Sequence, residues 1–476
     1  MKVSCPMLVI AGADDALTPA AIGIAVAEAT DAELLVMHDV GHGPPARAPV
    51  RFNLALRDFA GLGQPERRTW HRALRRPRRA LFVSSPIGLG HAWRDVAIAR
   101  ELRALVPDLE IDWLAQDPVT RVLEAEGLRI HPASAELASE ATHIDAESHG
   151  HELDVFRAYR RMDEILLANF MLFHDVVERE PYDLWIGDEA WEIDYFLHEN
   201  PECKRAAYVW LSDFVGFLPL AEGDEREAFL TADYNAEMLE QIERYPRIRD
   251  RSIFIGSPDD IVPDRFGPDL PHIRQWTEEH FAFAGYVPGH DGTPSSVDRD
   301  ALRAEFGYGE DDRICIATAG GSAAGAYLLR RVIEAHESAA DRIPGLRTVI
   351  IAGPRIAPSA LPQVPGVEIV GYVHDLSRQL AACDVAVVHG GLATTMELTG
   401  ARRPFLYFPL KHHFEQQRHV RHRLERHRAG RCMDFDASPP DVVADAIADE
   451  LDRQPDPQPI EADGAHRAAT LIAELL

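Results

Sequence analysis

Lysine is almost missing from this chain of 476 residues: only Lys2, Lys204 and Lys411 occur, so nearly all of its positive charge is arginine. The balance is strongly negative, with a formal net charge of −28 at pH 7. A polyanion would be repelled over most of such a surface, which argues against a nucleic-acid partner. No apolar stretch reaches the roughly 18 residues that a membrane-spanning helix needs, and no charged-then-apolar leader is read at the start. The five cysteines (Cys5, Cys203, Cys315, Cys383, Cys432) stand apart with no C-x-x-C pair. That spacing suits neither a disulfide frame nor a zinc site and implies reduced thiols in a cytoplasmic protein.

What is present is globular. Apolar residues make up 46% of the chain, enough for a core, and the length asks for two or three domains. One stretch departs from the acidic background: residues 66–80, ERRTWHRALRRPRRA, carry seven arginines. They read as a solvated linker or as a patch making weak contact with a membrane surface or an acidic partner.

Short apolar runs alternate with helical patterns of 10–15 residues in two successive blocks, which implies parallel sheets with crossover helices. RALFVSS, EIDWLAQ and DLWIGDE are strands of one block; RICIATAGG, RTVIIAGP, VEIVGY, CDVAVVHGG and PFLYFP are strands of the other. The expected class is α/β, with two doubly wound, Rossmann-like domains facing a cleft. The expected boundaries are 1–63 for an appended segment, 64–79 for an Arg-rich linker, 80–288 and 289–450 for the two domains, and 451–476 for a closing helix packed across both.

The chemistry concentrates in CDVAVVHGGLATTMELTGARRPFLYFPLKHHFEQQRHV, residues 383–420. AVVH is a buried strand, and the Gly390–Gly391 pair at its carboxyl end lets backbone approach a ligand closely. A helix starting near Ala393 would turn free N–H groups and its positive dipole end toward a diphosphate. Thr394 or Thr395 could add a hydroxyl, and the Glu397 carboxylate could accept both hydroxyls of a ribose.

This stretch resembles the GT-B glycosyltransferases that use nucleotide-activated sugars, both the UDP-glycosyltransferases and the bacterial N-acetylglucosaminyltransferase of peptidoglycan synthesis. The shared pattern is H-x-G-x-x-[ST]-x-x-E, then two prolines, then an acid followed by Gln; here it falls on His389, Gly391, Thr394, Glu397, Pro404, Pro409, Glu415 and Gln416. The resemblance implies that His389 and Thr394 contact the diphosphate, Glu397 the ribose, and Glu415 with Gln416 the donor sugar. The acid–Gln pair stands about two residues late, leaving Glu415, Gln416 and Gln417 open. The loop ATAGGS, with Gly320, Gly321 and Ser322, resembles the phosphate loop of the peptidoglycan enzyme. Tyr372 and Val373 in GYVHDL stand where the family holds the nucleobase. The donor is then a substrate, UDP-linked first of all, and no cofactor or metal is called for; Asp434 and Asp436 read as surface.

Transfer to an unknown acceptor hydroxyl requires a base. His91, after the glycine loop SSPIGLGH, is the candidate, with a helix-start or phosphate-proximal role as its rival. Asp188 is its candidate orienting acid, with Glu189 and Asp194 as alternatives. In-line displacement would invert the anomeric carbon. The acceptor loops are expected at 134–165 and 211–250.

Residues 1–63 resemble something else, the last quarter of an α/β-hydrolase, with Asp15 and His42 at its acid and base positions. No G-x-S-x-G nucleophile accompanies them, so the pair is expected to be inactive, a fusion remnant or the sign of a start site placed too late. Three other readings stay open: a hydrolase or bifunctional fusion, an epimerase, and a nucleotide-sugar binder without activity.

Overall fold

The computed structural model describes residues 5–62, 76–220, 224–289, 298–321 and 323–476. Within them β1 (Leu8–Gly12) and β2 (Glu33–Met37) pair in parallel as a sheet of two strands. The helix Pro49–Phe59 fastens this segment to the rest: Val50 is buried in the next domain's core and Arg57 pairs with Asp175.

The second sheet holds β3 (Arg78–Ser84), β4 (Leu109–Leu114), β5 (Leu184–Asp188), β6 (Ala207–Ser212), β7 (Arg251–Phe254) and β8 (Ala282–Phe283), all parallel, in the order β4-β3-β5-β6-β7-β8. The third holds β9 (Arg313–Thr318), β10 (Leu346–Ile351), β11 (Val367–Val370), β12 (Val385–His389), β13 (Phe405–Phe408) and β14 (Arg431–Cys432), also parallel, in the order β11-β10-β9-β12-β13-β14. Ala80, Leu81 and Phe82 of β3, and Val385, Ala386 and Val387 of β12, are fully buried. A strand covered by helices on both faces reads as a continuous apolar run, which is why these were visible in the sequence.

Strand order reverses between β3 and β5 in one sheet and between β9 and β12 in the other. Crossovers run to opposite faces at such a point and leave a crevice at the carboxyl ends of the strands. The two crevices face each other. Gly90 at one lies so near the other that a Cβ on it would stand 2.3 Å from the Ala393 Cβ. Leu153 and Lys411 exchange backbone contact across the gap at 2.9 Å, and Phe414 packs on Phe214 and Phe217 with ring centroids 5.5 and 5.2 Å apart.

The last helix, Gly464–Ala473, returns to the first of these domains and buries Ala468, Ala469 and Ile472 in the core beneath β3 and β4. Two features differ from the sequence reading. The stretch 211–250 is not mainly loop, because Glu225–Arg244 is a helix of 20 residues, started by the Asp224 side chain accepting from the Arg226 and Glu227 amides. The linker expected over 64–79 ends early, since β3 begins at Arg78 and both Arg76 and Arg79 are held in ion pairs with Asp183, Asp112 and Glu180. The rest of the Arg-rich run, through residue 75, lies outside the described residues.

Candidate active site

One cavity of about 210 Å³ lies between the two crevices. Its carboxyl-terminal wall is built on β12 and the helix Leu392–Gly400. Gly391 stands just before the helix in extended conformation and has open space where a Cβ would be, so the first amides of the helix face the cavity. Thr394 lines it, whereas the Thr395 hydroxyl is spent on the Gly391 carbonyl at 2.9 Å. Gly390 packs on Pro409 and Gln416, where a Cβ would find atoms at 3.1–3.3 Å.

His389 is buried and its Nε2 has no hydrogen-bond partner among the described residues. Burial, then His151 and His413, hold its pKa far below the ordinary value. The ring is therefore neutral, with one polar atom left for a ligand. Glu397 lies about one turn along the helix, lines the cavity, and is pushed up to about 8 by burial and by Asp375.

Gly320 and Gly321 also line this wall. Gly320 has φ +66 and its carbonyl would lie 2.3 Å from a Cβ on Gly353, itself at φ +78, so the two loops meet only because residue 353 is glycine. Ser322, expected beside them, lies outside the described residues. Tyr372 and Val373 line the far end, the Tyr372 hydroxyl 3.1 Å from His374 Nδ1.

Glu415 and Gln416 line the cavity and Gln417 does not: its amide donates to the Leu410 carbonyl at 3.0 Å. Gln416 Oε1 accepts the Leu410 N–H at 2.8 Å, which fixes the side chain. These residues open a π-helical turn, Glu415–Val420. Burial and then Asp213 push Glu415 up to about 8.

The opposite wall carries His91, with Asp188 fully buried behind it. His91 sits in the first turn of the helix Leu89–Leu105 and Asp188 ends β5, the two strands' ends meeting at the switch point. His91 Nδ1 lies 2.9 Å from Asp188 Oδ2. Burial and the Arg94 charge oppose protonation of His91, but Asp188 and Glu189 outweigh them and its pKa is raised. Burial would raise Asp188, yet Arg94 and His91 hold it well below the usual carboxylate range. Glu189, at φ +47, is buried beside this pair and is pushed up to about 8 by burial and Asp213. Asp194 is elsewhere, in an ion pair with Arg249.

Sequence reasoning missed Arg94. It is buried, donates through Nε to Asp188 Oδ2 at 2.9 Å, and bonds Asp188 Oδ1 and Asp213 through its terminal nitrogens. The signal available was its place three residues after His91 on one helix face. His91, Asp188 and Glu189 bring ligand-type atoms within 4.8 Å of one another, but Arg94 already holds both Asp188 oxygens. Asp434 and Asp436 are exposed. In the first segment, His42 Nδ1 lies 3.0 Å from Asp15 Oδ2, with the Thr18 hydroxyl bonded to the same oxygen at 2.9 Å. The Thr18 amide is the main cause that lowers Asp15 to about 2.

Comparison with known proteins agrees with this layout. Residues 315–476 match the glycosyltransferase family 28 C-terminal domain. An uncharacterized glycosyltransferase of Methanopyrus kandleri is 29% identical over 179 residues, which are 37% of this chain and 50% of that protein. The UDP-N-acetylglucosamine–N-acetylmuramyl-(pentapeptide) pyrophosphoryl-undecaprenol N-acetylglucosamine transferase of Mycolicibacterium smegmatis is 34% identical over 124 residues, 24% of this chain and 31% of that one. The chain thus matches half or less of the length of these curated relatives. Among solved structures, a spinosyn rhamnosyltransferase complexed with thymidine diphosphate superposes with TM-score 0.52 and 20% identity, over 83% of this chain and 95% of that one. The carboxyl-terminal third is a glycosyltransferase domain, and the two facing sheets form the GT-B fold.

Proposed function

We propose that this chain is an inverting glycosyltransferase that moves a hexose or N-acetylhexosamine from a UDP-linked donor to an acceptor hydroxyl without a metal ion. The observation that carries the reading is the meeting, in one cavity, of a His–Asp pair from one domain and a helix-start anion site from the other. The diphosphate rests at the start of the helix Leu392–Gly400, with amides from Gly320 and Gly321, the Thr394 hydroxyl and the free His389 nitrogen around it. Glu397 takes the ribose, Tyr372 and Val373 the base, and Glu415 with Gln416 the sugar.

His91 then faces the acceptor. Its Nε2 takes the proton of the acceptor hydroxyl as that oxygen bonds to the anomeric carbon, and the sugar–phosphate bond breaks with its electron pair leaving on the diphosphate. Asp188 stabilises the imidazolium that forms. The helix dipole and amides supply the positive potential that a metal ion would otherwise bring to the leaving group. A cavity of about 210 Å³ is small beside the roughly 300–1,000 Å³ of ordinary ligand pockets, so donor and acceptor enter as the cleft parts and react as it closes.

Two substitutions test the division of labour. Glu397→Ala is expected to raise donor KM at least about tenfold, the loss of one or two hydrogen bonds to ribose. His91→Ala is expected to leave donor binding within about twofold and lower kcat by about 100-fold or more. Undiminished turnover in His91→Ala sinks the base assignment. Stabilisation by UDP-sugars over TDP- and GDP-sugars in a thermal-shift series tests the nucleobase. We further read residues 1–63 as a hydrolase-like appendage without activity of its own, in a cytoplasmic protein; ester hydrolysis abolished by His42→Ala would overturn that.

A further inference from the structure

Arg94 has a role that the proton transfer above leaves unassigned. Its Nη2 lies 2.7 Å from His91 Nδ1, and that same Nδ1 lies 2.9 Å from Asp188 Oδ2. A guanidinium nitrogen can only donate. If Nδ1 carries a proton, it donates to Asp188 but stands 2.7 Å from a second donor with no acceptor between them. If Nδ1 is bare, it accepts from Arg94, and the proton of the neutral ring is on Nε2. The two contacts belong to different tautomers, and one nitrogen cannot serve both.

The surroundings favour the second. Asp188 already receives two bonds from Arg94, one through Nε and one through Nη2, so it does not depend on the imidazole for a donor. Arg94 Nη1 is bonded to Asp213, which anchors the guanidinium from its other side. An Nε2–H histidine cannot accept a proton from an acceptor hydroxyl at that nitrogen. One other carboxyl is in reach of Nη2: Glu189 Oε1, at 3.8 Å. Glu189 is buried, accepts from the Ser212 hydroxyl and the Asp213 amide at 3.2 Å, and sits in the left-handed region at φ +47, a conformation held by its surroundings.

We propose that Arg94 is a positioning residue that parks His91 in the Nε2–H tautomer and arms it by shifting Nη2 from the ring to Glu189; the ring then gives its Nε2 proton to solvent and takes one from solvent at Nδ1, which donates a hydrogen bond to Asp188 and leaves Nε2 bare for the acceptor proton. This rests on His91 being the base, yet the tautomer is read without turnover. The full chain labelled with ¹⁵N-histidine, free of ligand, reports which ring nitrogen of His91 is protonated; the resonances are assigned by their loss in His91→Gln. Recorded at a pH above the raised pKa of His91, so that the ring is neutral, the wild-type spectrum is expected to show Nε2–H and a bare Nδ1. Arg94→Met is expected to place a proton on Nδ1. At pH 8.5, where Glu189 is mostly ionised, Glu189→Gln, which keeps the shape but cannot ionise, is expected to keep the wild-type tautomer, hold donor KM within about twofold and lower kcat at least about tenfold. A wild-type Nδ1–H overturns the proposal outright, as does a full kcat in Glu189→Gln. Full turnover in His91→Ala would instead overturn the base reading and leave the tautomer result standing.

Discussion

Three glutamates around the cavity, Glu189, Glu397 and Glu415, are each pushed up to about 8, with burial the first cause in every case. In the unfolded chain they ionise near the ordinary value of 4.5, so between there and about 8 the native state binds more protons than the unfolded one. Stability therefore falls as pH rises through that window. The buried histidines act with the opposite slope: His413, held near 3, and His151, near 4, add stability above their ordinary 6.5 that is lost as pH falls. Above about pH 7 both histidines are neutral in both states, and of these groups only the carboxyls still contribute. Melting followed from pH 7 to 8.5 is expected to show a falling Tm, with Glu397→Gln reducing the fall by about 1 °C. A Tm that rises over that range would contradict the burial of these carboxyls.

At the scale of elements, the site depends on two helix starts nearly touching. Gly90, in the first turn of Leu89–Leu105, faces Ala393, in the first turn of Leu392–Gly400. A valine at 90 cannot coexist with that contact, since even its Cβ would stand 2.3 Å from another Cβ. Neither helix needs the contact to form, so Gly90→Val is expected to leave Tm within about 2 °C while lowering kcat/KM by about tenfold or more, because the cleft closes incompletely. Gly353 is different. At φ +78 and against the Gly320 carbonyl, Gly353→Ala is strained in either arrangement, and its expected cost of about 1–3 kcal/mol is measured by denaturant unfolding.

Over the whole molecule the chain crosses twice between domains, and the last helix closes the circuit. Ile472 is fully buried with Ala468 and Ala469 against Val96, Ala99 and Leu102 of the other domain's helix. Ile472→Ala is expected to lower stability by about 2–5 kcal/mol. Because the helix is the chain's return crossing, the loss is expected in the unfolding of both domains together; a change confined to one transition would show that they unfold independently. Among the described residues no helix is long and apolar enough to cross a membrane. Among the described residues, seven of the exposed large apolar side chains, including Leu17, Ile22, Val26 and Leu62, fall in residues 5–62, so that segment is the least covered of those described.

Alternation of apolar runs and helical stretches determined the two parallel sheets, because a strand buried on both faces must be apolar throughout. The short edge strands β8 and β14, of two residues each, were not legible, being too brief to carry a period. Local spacing likewise placed His389, Gly391, Thr394 and Glu397 on one strand–turn–helix unit, since residues a turn apart are neighbours whatever the rest of the chain does. Only the tertiary structure decided which hydroxyl faces the cavity, Thr394 rather than Thr395, and that Glu415 and Gln416 line it while Gln417 does not. The same holds for His91 beside Asp188, 97 positions apart in sequence, and for the Arg94 guanidinium between them. Contacts between distant segments are set by how the sheets face each other, and no local period in the chain records that.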